Sequence, residues 1–137
     1  MNERDAFLDS TMPRQIEAET ALHNGDAGPR FSMWSRNDPV SLFGAWFSAI
    51  GWDDVSSVFK HLAEVMENCE SYDIELVAAD ASGDFAYTVA YEHTTATVNG
   101  VRSAYTLRVT HIYRRENGEW KVVHRHGDPI PEESGGR

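Results

Sequence analysis

Two Asn-Gly pairs, Asn99-Gly100 and Asn117-Gly118, constrain this chain more than any other feature. Asn-Gly is the dipeptide best suited to hold consecutive residues at positive φ, the geometry of a two-residue hairpin turn. The pairs separate three runs rich in Val, Thr and Tyr, residues 84–98, 101–115 and 119–127. Strand-like runs joined by such turns form an antiparallel meander. Residues 71–80 add a further strand, with Ile74, Leu76 and Ala78 alternating on one side.

Upstream the pattern is helical. Thr11 can cap a helix that has Pro13 in its first turn and Asn24-Gly25 as its stop. A short helix over 27–35 is limited by Pro29. Asp38-Pro39 breaks the chain, 40–43 predicts a short strand, and 44–52 is apolar and aromatic without a clear period. Residues 53–68 predict a strong helix, because Val55, Val58, Phe59, Leu62, Val65 and Met66 recur at the 3.6-residue spacing of a core-facing side. Helices followed by a meander define an α+β domain, with three N-terminal helices packed on the concave face of a curved antiparallel sheet. The expected domain is 11–130, with flexible tails at 1–10 and 131–137.

If both turns contain two residues, the register follows. Tyr91 faces Arg108, Val89 faces Thr110 and His93 faces Thr106 across the first turn. Across the second, His111 faces His124 and Thr110 faces Arg125. One face then carries Tyr87, Val89, Tyr91, His93, Arg108, Thr110 and Arg125. The other carries Glu92, Leu107, Val109, His111, Trp120, Val122, His124 and His126. Both hold bulky residues, and helices in so short a chain cover one side only. The face with Leu107, Val109, Trp120 and Val122 is therefore expected to pair with an identical subunit.

The 137 residues carry a formal charge of −10, which opposes binding to nucleic acid or an anionic membrane surface. No stretch approaches the ~20 apolar residues of a membrane span. The N-terminal segment holds no apolar run of the signal-peptide kind, so a cytoplasmic address is expected. Cys69 is the one cysteine and reads as a core residue. No phosphate-binding glycine loop or nucleophile elbow is present, and no cofactor is expected.

The segment 108–126, RVTHIYRRENGEWKVVHRH, resembles the closing hairpin of SnoaL-like and related nuclear transport factor two-like domains. Residues 84–93, DFAYTVAYEH, resemble the matching strand of bacterial ketosteroid isomerases. The resemblance implies a cone-shaped sheet around a pocket for a small organic molecule. It also implies that Tyr87, Val89, Tyr91 and His93 line that pocket. Thr110 falls where those isomerases place an oxyanion-stabilising acid. Their catalytic base lies in an Asp-Pro dipeptide, which points to Asp38, whereas spacing puts Phe43 or Gly44 at that position.

Two arginines on one concave face need a carboxylate each, from a ligand or from the protein. Arg108 and Arg125, with Tyr91 and Thr110, are thus a candidate clamp for a carboxylate or carbonyl group. The alternative is structural pairing with Asp38, Asp53 or Glu19. Asp38, His93 and Tyr91 are the candidate acid/base groups. Trp34, Trp46 and Phe47 are candidate pocket walls. His111, His124 and His126 invite a metal, with Glu92 or Asp128 as a further ligand, but ordinary hydrogen bonds are the expectation and no metal is assigned. The function expected is a homodimeric small-molecule pocket protein with isomerase, lyase or cyclase chemistry. The alternative is a non-catalytic binding or association module.

Overall fold

The computed structural model describes residues 1–130; the expected tail at 131–137 lies outside them. Helices α1 (Glu3–Leu22), α2 (Gly28–Met33) and α3 (Trp52–Val65) sit against a sheet of six strands. The strands are β1 (Ser41–Phe43), β2 (Ser48–Ile50), β3 (Met66–Ser82), β4 (Phe85–Val98), β5 (Val101–Glu116) and β6 (Glu119–Pro129). Their spatial order is β2-β1-β6-β5-β4-β3. Every pairing is antiparallel except β1 with β6, so the sheet is curved, unclosed and nearly all antiparallel.

Helix α1 starts eight residues before the predicted Thr11 cap. The Asn2 side chain caps it by accepting the Asp5 N–H at 2.8 Å, and Glu3 and Asp5 complement the positive end of its dipole. Pro13 lies inside the helix, where it costs about 3 kcal/mol. Packing outweighs that cost. Phe7 is fully buried, with ring centroids 4.9 Å from Tyr113 and 5.2 Å from Trp120. Residues 3–10 are therefore part of the domain and not a tail. The buried stripe of α1 is Phe7, Thr11, Gln15, Ala18, Glu19 and Leu22. It is half polar, which hides it from a search for apolar periodicity.

Helix α3 follows its apolar pattern. Val55 and Phe59 are fully buried, and Val58, Leu62 and Val65 pack beside them. The helix ends at Val65, and Met66 opens β3. The run without a period contains β2 and the turn that joins it to β1.

The β4–β5 hairpin has the predicted register throughout: Val98 with Val101, Tyr91 with Arg108, Val89 with Thr110. The β5–β6 hairpin begins as predicted, with Glu116 opposite Glu119, and then changes. Tyr113 pairs with Val122 but Ile112 pairs with His124, so Val123 is an extra residue in β6. A one-residue bulge turns every later side chain to the opposite face. Arg125 thus pairs with His111 and not with Thr110, and His124 and His126 face away from His111.

The concave side is also the reverse of the expected one. Thr88, Glu92, Thr94, Val109, His111, Tyr113, Trp120 and Val122 are all buried. Trp120 and Val122 belong to the helix-covered core, so these residues and Val109 do not form an outer face. The exposed convex face carries Tyr87, Tyr91, His93, Arg108, Thr110 and Ile112 instead.

Candidate functional site

The inward faces of α1, β4, β5 and β6 converge on a cluster of charged side chains. Arg125 holds Glu92 through Nη1 and Nη2, both at 2.9 Å. Gln15 Nε2 donates to the same Glu92 at 3.2 Å. The Arg125 guanidinium keeps the Glu92 carboxyl ionised against a burial effect that alone would raise its pKa. His111 receives a hydrogen bond from Arg125 on its Nε2 at 3.2 Å, which makes Nδ1 the protonated nitrogen of the neutral ring. Burial and the neighbouring guanidinium hold His111 well below the usual histidine range.

A second ion pair joins α1 to α2. Arg30 donates through both Nε and Nη2 to one oxygen of Glu19, Oε2. The other oxygen, Oε1, is buried and has no partner. One turn further along α1, His23 Nδ1 donates to the Glu19 backbone carbonyl at 2.7 Å. Its Nε2 then accepts the Tyr105 hydroxyl proton at 2.5 Å. The Tyr105 pKa is pushed up to about 12, by burial first and by the Glu19 charge second. At neutral pH it remains a phenol.

Of these groups Glu19, His23, Arg30, Glu92, Tyr105 and Arg125 line a cavity of about 50 Å³. The rest of the lining is mostly apolar and includes Leu22, Leu42, Val58, Leu62 and Met66, with Trp46 and Phe47 from the β1–β2 turn. Trp46 is 62% exposed and leans edge-on to Tyr105.

Of the residues singled out from the sequence, Arg125, Trp46 and Phe47 line this cavity. Trp34 is buried in the core against Phe59. Asp38 is exposed, and its Oδ1 accepts the Trp52 N–H at 3.0 Å as the cap of α3. Tyr87, Val89, Tyr91, His93, Arg108 and Thr110 stand on the convex side. There Arg108 makes a two-pronged pair with Asp128 at 2.8 and 2.9 Å, and His93 bonds Thr106 and Glu75. Both arginines are thus paired within the protein, but with Glu92 for Arg125 and Asp128 for Arg108 and not with Asp38, Asp53 or Glu19, which holds Arg30 instead. No group of three metal-ligating side chains comes together among the described residues. From the sequence, no pocket role falls to His23, Arg30 or Tyr105, and Glu19 stands only as a structural partner and Glu92 only as a candidate metal ligand. The available signal was the spacing of Thr11, Gln15, Glu19 and His23, four residues apart on one helix face.

A curved sheet wrapped around helices, with polar groups converging inside, is the architecture of the nuclear transport factor two-like class. The SnoaL-like domain family matches residues 17–131, most of the chain, and the protein belongs to that family. Among solved structures, a ketosteroid isomerase-like protein from Erwinia carotovora atroseptica shares 21% identity at a TM-score of 0.74, covering 96% of this chain and 100% of its own. A candidate dehydratase of the NTF2-like family from Streptomyces avermitilis shares 20% at 0.73, covering 93% and 99%. A candidate calcium/calmodulin-dependent kinase II association domain from Thiobacillus denitrificans shares 18% at 0.68, covering 93% and 94%. At these identities the likeness is one of fold. No curated protein matches the chain.

Proposed function

We propose that the protein binds a small organic molecule inside the cone and acts on it by proton transfer, in the manner of an isomerase or lyase. The observation that carries this reading is the Tyr105–His23 pair at the cavity wall. The Glu19 carbonyl fixes the His23 tautomer, so Nε2 is an acceptor aimed at Tyr105. A ligand hydroxyl can pass its proton to the Tyr105 oxygen while Tyr105 passes its own to His23. The imidazolium so formed lies one helical turn from the Glu19 carboxylate. Tyrosinate never forms, which suits a phenol whose pKa is raised. The arginines act here by holding Glu19 and Glu92 in place, and not as a ligand clamp.

The test is direct. Protein purified without organic additives is examined by native mass spectrometry, and a library of neutral small molecules is screened by thermal shift. A co-purified or stabilising compound whose effect disappears in Tyr105→Phe supports the reading. A protein that no compound stabilises sinks it.

A second reading, a non-catalytic association module, is favoured by the convex face. Val77, Phe85, Tyr87 and Ile112 are 58%, 58%, 42% and 40% exposed there. In either reading the proposed partner for this face is a second copy of the chain. The face's Arg108 is neutralised by Asp128, and the exposed Asp73, Glu75 and Asp80 of β3 share the face, so two copies of a protein of charge −10 meet most readily with those acids kept at the rim. The same acidity supports a partner set without nucleic acid. No helix among the described residues is long and apolar enough to cross a membrane.

A further inference from the structure

The cavity presents one buried group with nothing to bind. Glu19 is 3% exposed at its side chain, and both Arg30 contacts fall on Oε2. Glu19 lines the cavity, and its Oε1 is buried with no hydrogen-bond partner. A carboxylate oxygen withdrawn from water and left unpaired is unfavourable, and a donor placed against it removes that penalty. The formal charges of the cluster cancel, Glu19 and Glu92 against Arg30 and Arg125, so the interior does not call for an ionic ligand. The apolar part of the lining, Leu22, Val58, Leu62 and Met66, suits an apolar body.

We infer that the cavity takes a neutral molecule with an apolar body and a hydroxyl group, distinct from the one facing Tyr105, that anchors it by donating to Glu19 Oε1. This rests on the reading of the cavity as a ligand site. It goes further by naming the anchor and the ligand class. The space of about 50 Å³ is well below the roughly 150 Å³ that admits benzene to an apolar protein cavity. A ring-sized ligand therefore displaces the Trp46–Phe47 turn, the one part of the wall made of half-exposed side chains.

Phenol, fluorobenzene and benzoate separate the possibilities on the wild-type protein, so no variant need fold. Fluorobenzene is close to phenol in size and lacks the donor; benzoate replaces the hydroxyl with an anion. Affinities come from NMR titration, with the site located by shifts at Leu62, Met66 and Trp46. Phenol binding at least about tenfold tighter than fluorobenzene, with those shifts, is the expected result, since a hydrogen bond to a charged group is at stake. Equal affinity for phenol and fluorobenzene overturns the Glu19 anchor and leaves the cavity as a ligand site. Benzoate binding tightest also overturns it, in favour of the arginines. No binding of any probe removes both the anchor and the cavity reading.

Discussion

Arg125 on β6 and Glu92 on β4 reach across the intervening strand β5 and close a two-pronged ion pair inside the cone, with side chains 6% and 4% exposed. Removing one partner strands the other's charge in a low-dielectric interior. Arg125→Met is expected to destabilise the protein by about 3–5 kcal/mol in urea denaturation. The double variant Arg125→Met with Glu92→Leu is expected to recover most of that loss, because the uncompensated charge is gone. A single variant within about 1 kcal/mol of wild type would show that the pair is worth no more than a surface bridge.

The same cluster sets the acid limb of stability. Burial, aided by Arg125, depresses the folded-state pKa of His111 below the ordinary histidine value of 6.5. Below pH 6.5 the unfolded chain binds a proton that the folded chain does not, so stability falls as pH falls. Glu92, held low by Arg125, adds a second loss below the ordinary glutamate value of 4.5. Two stages of acid destabilisation are expected, each with a slope of at most about 1.4 kcal/mol per pH unit per group. His111→Asn should remove most of the first stage and leave the second. His124, also lowered by burial and by His126, keeps a smaller part of the first. Urea midpoints between about pH 2.5 and 8 measure this, and an unchanged first stage in His111→Asn would refute the assignment.

What was legible in the sequence follows from local rules. The Asn99-Gly100 turn dictated the β4–β5 register to the last pair, and the apolar period of α3 dictated its buried face. Two things were not legible. The Val123 bulge inserts one residue without Gly, Pro or any other local mark, and by itself it moved Arg125 to the other side of the sheet. The choice of concave face was also hidden, because the interior is lined by Thr88, Glu92, Thr94 and His111, whereas Tyr87 and Ile112 stay exposed. Those polar side chains are tolerated inside because partners from α1 and β6 reach them, and such partners become visible only when the elements are assembled.

Phe7 tests where the domain begins. It is fully buried between Tyr113 and Trp120. Phe7→Ala should cost about 3–5 kcal/mol, as for a large aromatic lost from a core. Thermal unfolding measures the effect. A change within about 0.5 kcal/mol, the range of surface substitutions, would return the first turns of α1 to the status of a tail.

The convex face yields a test of assembly. Ile112 is 40% exposed and pairs with His124 on that face. Ile112→Glu should turn the proposed dimer into a monomer in sedimentation, while the melting temperature at low concentration stays near wild type. Wild-type protein that sediments as a monomer at roughly micromolar concentration, where interfaces of about −8 kcal/mol are half formed, would discard the dimer.

Tyr105 connects the cavity to alkaline stability. Its hydroxyl donates to His23 Nε2, and its folded-state pKa is pushed up to about 12 from the ordinary tyrosine value of 10.0. An acid whose folded pKa is raised contributes stability that is complete below the unfolded value and is lost as pH climbs toward the folded one. Tyr105→Phe removes the hydrogen bond and should cost about 0.5–1.5 kcal/mol at pH 7. It also removes one group that resists ionisation. Between pH 10 and 12 the variant should therefore lose stability less steeply than wild type, so the two curves converge. Tyr72 and Tyr113, both raised by burial, keep a slope in the variant. Nitrogen-15 spectra should show the proton of His23 on Nδ1 in both proteins, because the Glu19 carbonyl and not Tyr105 sets that tautomer. Parallel alkaline limbs would mean that Tyr105 ionises as freely in the folded protein as in the unfolded one. A proton found on Nε2 would reverse the direction of the His23–Tyr105 hydrogen bond and remove the acceptor that the proposed proton transfer needs.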